Sequence, residues 1–162
     1  MSFYRMLKNL NYKLLSHVIV WFVKHPLFMF ATIKATFYTL KLTQKKFPDI
    51  HDKNNKANAF RHALWNILIA KECAKFSRDF KVVLNWTKKI TDWHEDFSVN
   101  EEMARLMDLH NNAFGRNKFL PWKEETVNSI AELLIKELSN AILVTKKSEI
   151  KKLVHKLIYL EK

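Results

Sequence analysis

Arg61 and His62 lie side by side in the run NAFRHALW, Asn58 to Trp65, and two later segments carry the same kinds of groups. These are Asp92, His94 and Glu95 around Trp93, and the stretch MDLHNNAFGR from Met107 to Arg116. Imidazole, carboxylate, guanidinium and amide groups set into apolar helical sequence are costly to bury unless they pair with one another or do chemistry. Two mechanisms fit these types. In the first, His62, His94 and Asp108 bind a divalent metal of unspecified identity, Glu95 acts as base or outer partner, and Arg61 holds an anionic substrate group. In the second no metal binds, and a histidine paired with Glu95 or Asp108 activates water while Asn112 and Arg61 stabilise developing charge. Both lead to hydrolysis of a phosphate-containing substrate, a phosphodiester or a phospholipid. Asn58, Asn111 and Arg116 are the further candidates for substrate binding.

The competing reading is a buried polar network that ties three helices together, in a non-enzymatic module that binds a membrane surface or a partner. Helical geometry sharpens the choice between them. At about 100° per residue, Asn58, Arg61, His62, Trp65 and Ile69 share one face, while Asp108, Asn111 and Asn112 stand at i, i+3 and i+4 on another. His110 points elsewhere. Adjacent His94 and Glu95 diverge by about 100°, so both serve one site only if it lies between them. The geometric expectation is that His62, Glu95 and Asp108 converge in space.

The elements that must position these groups follow from composition and periodicity. The 162 residues suit one domain, and one glycine with three prolines leaves little room for hairpins or glycine-rich phosphate loops. An all-α, single-domain bundle of six to seven helices is expected, with a basic, aromatic-rich helical hairpin over residues 1–46. The motif-bearing core spans 56–116 and scaffold helices follow over 123–162. Within that frame the pattern predicts helices over 3–23, from Pro26 to about Lys46, from Ala57 to Ser77 capped by Asn54 or Asn55, and from Lys81 to Phe97. A fifth helix is expected to start at an Asn100 cap and stop at Gly115, the lone glycine, read as a left-handed terminus with Arg116 facing the negative end of the dipole. Pro121 and Trp122 then mark a link to a helix over 124–144, and Ser148 caps a last helix over 149–159. Cys73 reads as a small buried thiol. Asp49, His51 and Asp52 read as solvated loop residues rather than metal ligands.

Formal charge is +12, and residues 1–56 hold ten Lys/Arg against two Asp/Glu. That segment also carries ten of the twenty-one aromatics, which suits an anionic membrane surface, with nucleic acid as the other anionic partner left open. Each uninterrupted apolar run is about half the roughly 20 residues a spanning helix needs. With no signal-peptide pattern visible, the expected location is cytoplasmic, at most peripheral to a membrane. Phe30, Ile33, Phe37 and Leu40 are expected to pack the second helix against the first. The alternative places an outer face of Trp21, Phe28, Lys34 and Lys41 on lipid.

The order NAFRHALW, then His-Glu, then MDLHNNAFGR resembles an uncharacterised bacterial domain family. That family is marked by an N-x-x-R-H-x-x-W helix, a His-Glu pair and an M-D-x-x-N-N-x-x-G-R segment. The resemblance covers about residues 56–116 and implies a small helical domain, sometimes found at the ends of larger secreted or toxin-like proteins. By motif it carries over Arg61, His62, His94, Glu95, Asp108, Asn111, Asn112, Gly115 and Arg116. A looser analogy is to helical metal-dependent phosphohydrolases with His, His-Asp and Asp ligands. This chain departs from them in having His-Glu and in the short spacing from Glu95 to Asp108.

Overall fold

A computed structural model describes residues 12–48, 54–98 and 100–161. The start of the first expected helix and the loop residues Asp49, His51 and Asp52 lie outside them. In chain order the elements are α1 (Tyr12–Lys24), α2 (Pro26–Lys46), α3 (Lys56–Cys73), α4 (Phe80–Phe97), α5 (Glu102–Trp122), α6 (Val127–Ser139), β1 (Ile142–Leu143), α7 (Lys147–Ile150) and β2 (Ile158–Tyr159). The protein is all-α, with seven helices among the described residues.

The bundle is built round α3, which packs against α2, α4, α5 and α6. Its sequence is apolar on nearly every side, from Phe60 and Leu64 to Ile67, Leu68 and Ile69, and a helix of that kind is stable only when surrounded. Asn55 starts it as expected: its side-chain oxygen accepts from the backbone N–H groups of Ala57 at 3.0 Å and Asn58 at 3.3 Å.

Gly115 does not end a helix. It lies inside α5, which continues to Trp122, and its φ is not positive. A Cβ placed there would lie 2.3 Å from the carbonyl oxygen of Ala63. The glycine thus serves backbone-to-backbone approach of α5 on α3. Pro121, expected in a link, occupies the last turn of α5, where a missing N–H removes few helical bonds. The helix starts one residue later than expected, with Glu101 rather than Asn100 at its N-cap.

The stripe expected to pack α2 on α1 does so at Phe30, whose ring stands edge-on to Phe22 at 5.7 Å, and is otherwise turned outward. α1 and α2 meet at a 118° bend. α2 buries Met29, Ala31, Thr32, Ala35, Thr39 and Thr43, and leaves Phe30, Ile33, Phe37 and Leu40 exposed. Alanine and threonine allow α2 to lie close to α3, and two of the three buried hydroxyls are satisfied within the helix, Thr32 to Phe28 O and Thr39 to Ala35 O, both at 2.8 Å, while that of Thr43 has no partner among the described residues. Trp21 and Phe28, candidates for the outer face, instead pack on Trp86, with ring centroids 6.1 and 5.5 Å away. Cys73 is buried and its thiol is pushed up to about 12 by burial.

α6 is shorter than its pattern, running from a Thr126 cap to Ser139. Glu137, the acidic interruption in its apolar stripe, pairs with Lys118. No long helix follows. β1 and β2 pair in parallel, Ile142 opposite Ile158 and Leu143 opposite Tyr159, and α7 is a single turn capped at Lys146 rather than Ser148. This tail builds a small second core of Met107, Val144, Ile150 and Ile158 against α5.

Candidate functional site

Close contact at Ala63 and Gly115 sets the facing turns of α3 and α5 in register, so His62 meets both Asp108 and Asn112. His62, Glu95 and Asp108 do converge, and all three are buried. Nδ1 of His62 lies 3.3 Å from Glu95 Oε1 and 3.2 Å from Asn112 Oδ1, while Nε2 lies 3.3 Å from Asp108 Oδ1. The imidazole is thus held between two carboxylates, one on each ring nitrogen.

Amides complete the cage. Asn112 donates to Glu95 Oε1 at 2.9 Å, and its own oxygen accepts from Asn66 at 2.6 Å. Asn58 donates to Asp108 Oδ1 at 3.0 Å and accepts from Arg61 at 2.6 Å. Asn100, displaced from its expected capping role, donates to Asp108 Oδ2 at 3.2 Å. Against all this pairing, Glu95 Oε2 is buried and has no hydrogen-bond partner. A buried carboxylate oxygen left open in an otherwise satisfied cage is a vacant acceptor for a ligand, a cation or a water.

Surroundings drive the three groups apart in proton affinity. Burial alone would lower His62, but Asp108 and Glu95 outweigh it and hold the imidazole above its usual value. For Glu95 burial pushes upward, yet the hydrogen bond and charge of His62, with His94 and the Asn112 amide, bring the carboxyl below its usual value. Burial dominates at Asp108 and, with the charge of Glu95, raises its carboxyl against the pull of His62. One carboxylate is kept charged and the other is made a better proton acceptor.

The remaining candidates separate. His94 points to the exterior of α4, exposed, with its ring edge-on to Trp65 at 5.2 Å. Among the described residues, the side chains whose ligand atoms lie within 4.8 Å of one another are His62, Glu95 and Asp108, so Glu95 stands where the metal reading places His94. One imidazole and two carboxylates make a donor set suited to a divalent cation, and this buried cluster could hold one. Asn111 turns away from the cage: it donates to Ile158 O at 3.0 Å and accepts from Ile158 N at 3.1 Å, clasping β2 to α5. Arg116 is a turn beyond the cage, half-buried, with its guanidinium donating to Asn66 Oδ1 at 2.9 Å and Thr91 Oγ1 at 3.2 Å.

Sequence reasoning passed over Asn66 and Thr91. Asn66 bridges Asn112, the His62 carbonyl, Thr91 and Arg116, and it had a signal: Asn58, His62 and Asn66 recur at i+4 on one face of α3. Arg61, His94 and Asn100 are the groups that combine solvent contact with closeness to the buried cluster.

A family model for a domain of unknown function, DUF6973, matches residues 19–142, most of the chain, and the protein belongs to that family. No curated protein and no solved structure gave a match.

Proposed function

We propose that the protein is a hydrolase acting on phosphate esters, with the Glu95–His62–Asp108 array as its proton-transfer centre. The observation that carries this is the imidazole held between two carboxylates of opposed proton affinity, one of which keeps an unpartnered oxygen in a buried cage. In the reaction the oxygen of a water bonds to phosphorus and its proton passes to the His62–Asp108 pair. The ester P–O bond breaks, and the leaving oxygen takes up the proton that the His62–Asp108 pair received from the water. Buried Asp108 is oriented through Oδ2 by the amide of exposed Asn100, and Glu95 supports the charged form of His62. Arg61, half-buried beside the cluster, supplies the cation that holds the phosphate. A divalent cation held by His62, Glu95 and Asp108 would add Lewis acidity at the same place.

The test is turnover of a chromogenic phosphodiester and of a short-chain phospholipid by the full chain and its variants. Asp108→Asn and His62→Gln should each lose roughly 10²- to 10⁴-fold in rate with helical content retained. Arg61→Gln, which alters a partly exposed side chain, should chiefly raise KM. Full turnover in Asp108→Asn sinks the proposal, as does failure of the wild type on both substrates. If His62 and Asp108 variants unfold while Arg61→Gln is kinetically silent, the cage is a structural network of a non-enzymatic module. Elemental analysis of protein purified without chelator separates the metal-loaded form of the site from the metal-free one.

A further inference from the structure

The outer face of α2 is apolar, yet the helix already has a core to pack on. Its inner face is committed to α3 through Ala35, Thr39 and Thr43, while Phe30 and Phe37 are 61% and 69% exposed, and Ile33 and Leu40 lie beside them. At the bend, Val23 and Leu27 extend the same surface onto α1. Along one side of it a groove of about 430 Å³ is lined by Phe30, Phe37 and Tyr38 together with Lys34 and Lys41. On a helical wheel the order round the outside of α2 is Ile33 and Leu40, then Phe30 and Phe37, then Lys34, Lys41 and Lys45. A stripe of large apolar groups is thus edged by a row of ammonium groups.

Charge decides what such a face can meet. Between Tyr12 and Pro48 there is no Asp or Glu. Lys34 is paired with Glu72 at 3.1 Å, but Lys24, Lys41 and Lys45 are exposed and have no ion-pair partner among the described residues. A second copy of the chain would set these lysines against one another. Nucleic acid would find aliphatic and phenyl groups where it needs donors and stacking platforms. An anionic bilayer satisfies both rows at once, with acyl boundary for Phe30 and Phe37 and headgroup phosphate for the lysines. No single described helix is long and apolar enough to cross a membrane; α1 and α2 reach that length and apolarity only as a pair bent by 118°, and α2 has its inner face packed on α3, which favours a surface position.

We infer that the lysine-edged apolar face formed by α1 and α2 docks the protein on the surface of an anionic lipid bilayer, with α2 lying in the plane of the headgroups. This docking does not depend on the hydrolase reading. It also sets the exposed ring of His94 on the lipid-facing side: Thr36, next to Ile33 and Leu40 on the wheel, accepts a hydrogen bond from Trp65 Nε1 at 2.9 Å, and Trp65 packs edge-on with His94.

The experiment is co-sedimentation of the full chain with vesicles of phosphatidylcholine alone and of phosphatidylcholine with roughly 30% phosphatidylglycerol. Binding is read without turnover, so loss of activity at His62 leaves the result intact. Wild type should pellet with the anionic vesicles and stay largely in solution with the neutral ones. Phe30→Ser with Phe37→Ser should weaken partition by about tenfold or more, because two exposed phenyl groups leave the acyl boundary. Phe37 is exposed and Phe30 touches only Phe22 edge-on among the described rings, so the melting temperature should fall little, and Phe37→Ser alone should weaken partition without moving it. Lys24→Ala with Lys41→Ala and Lys45→Ala should flatten the salt dependence. Wild type remaining in solution with both vesicles overturns the inference, as does undiminished binding by the phenylalanine variant. A dimer in light scattering that the phenylalanine variant dissolves would reassign the face to a second copy.

Discussion

His62 lies between a carboxylate that its surroundings make more acidic and one that they make less so, and this asymmetry governs the response to pH. A histidine whose pKa is raised by folding adds stability that is complete below its unfolded value of about 6.5 and is lost as pH rises through the folded value. Glu95, lowered, adds stability that is present above its unfolded value and lost as pH falls through the folded one. Asp108, raised, works in the same sense as His62 and favours the acid side. Wild-type melting temperature should therefore decline as pH rises above about 6.5 in a series of calorimetric scans. The His62 ring, followed by NMR, should titrate above its ordinary value and move down in Glu95→Gln. A catalytic rate that needs the His62–Asp108 pair to accept a proton should rise with pH over that same range. Convergence of His62, Glu95 and Asp108 was legible in the sequence because helical angles place them on inward faces. The roles of His94 and Asn111 were not, since side-chain type is the same whether the residue faces a cage, a neighbouring ring or a strand.

At the scale of elements, the crossing of α3 and α5 is the joint that assembles the site. Gly115→Ala would ordinarily gain roughly 1 kcal/mol of helix propensity. Here the added methyl would meet the Ala63 backbone at 2.3 Å, and a backbone cannot swing aside as a flexible side chain can. The clash should win, with a net loss of at least about 2 kcal/mol in urea unfolding and a displaced Asn112. Helix existence was readable from α2 to α6, and so were the Asn55 start and the Pro26 start, but the helix expected over 149–159 is a single turn followed by a strand. Misreadings arose where one residue type serves two purposes. A lone glycine near asparagines suits a terminus as well as a close crossing, and proline suits a link as well as a last turn. The regular apolar stripe Phe30, Ile33, Phe37 and Leu40 carried the periodicity of a core, while the face that packs is made of threonine and alanine with little hydropathy to mark it. Two-residue strands such as β1 and β2 are too short to show any period.

For the whole molecule, the net charge of +12 and the apolar outer face are separable properties. Charge of that size should produce weak binding to duplex DNA or RNA in dilute buffer, readable by fluorescence anisotropy and abolished by moderate salt. Phe30→Ser with Phe37→Ser should leave that binding unchanged, whereas a nuclease groove running along α2 would respond to it. The surplus of cations over residues 1–56 was visible in the sequence. Which flank they edge was not, because the helix had to be turned round on α3 before the lysine row could be placed.

β2 fastens more than a strand. Asn111 on α5 exchanges two hydrogen bonds with Ile158, and the backbone N–H of Leu160 donates to Asn54 O at 2.8 Å, just ahead of α3. The two helices that supply His62 and Asp108 are therefore stapled to each other by residues made after both. During synthesis on the ribosome, α3 and α5 can emerge and associate, but their shared fastening waits for residues 158–160. Until those residues appear, the Asn111 amide lacks both of its hydrogen-bond partners, the backbone O and N–H of Ile158.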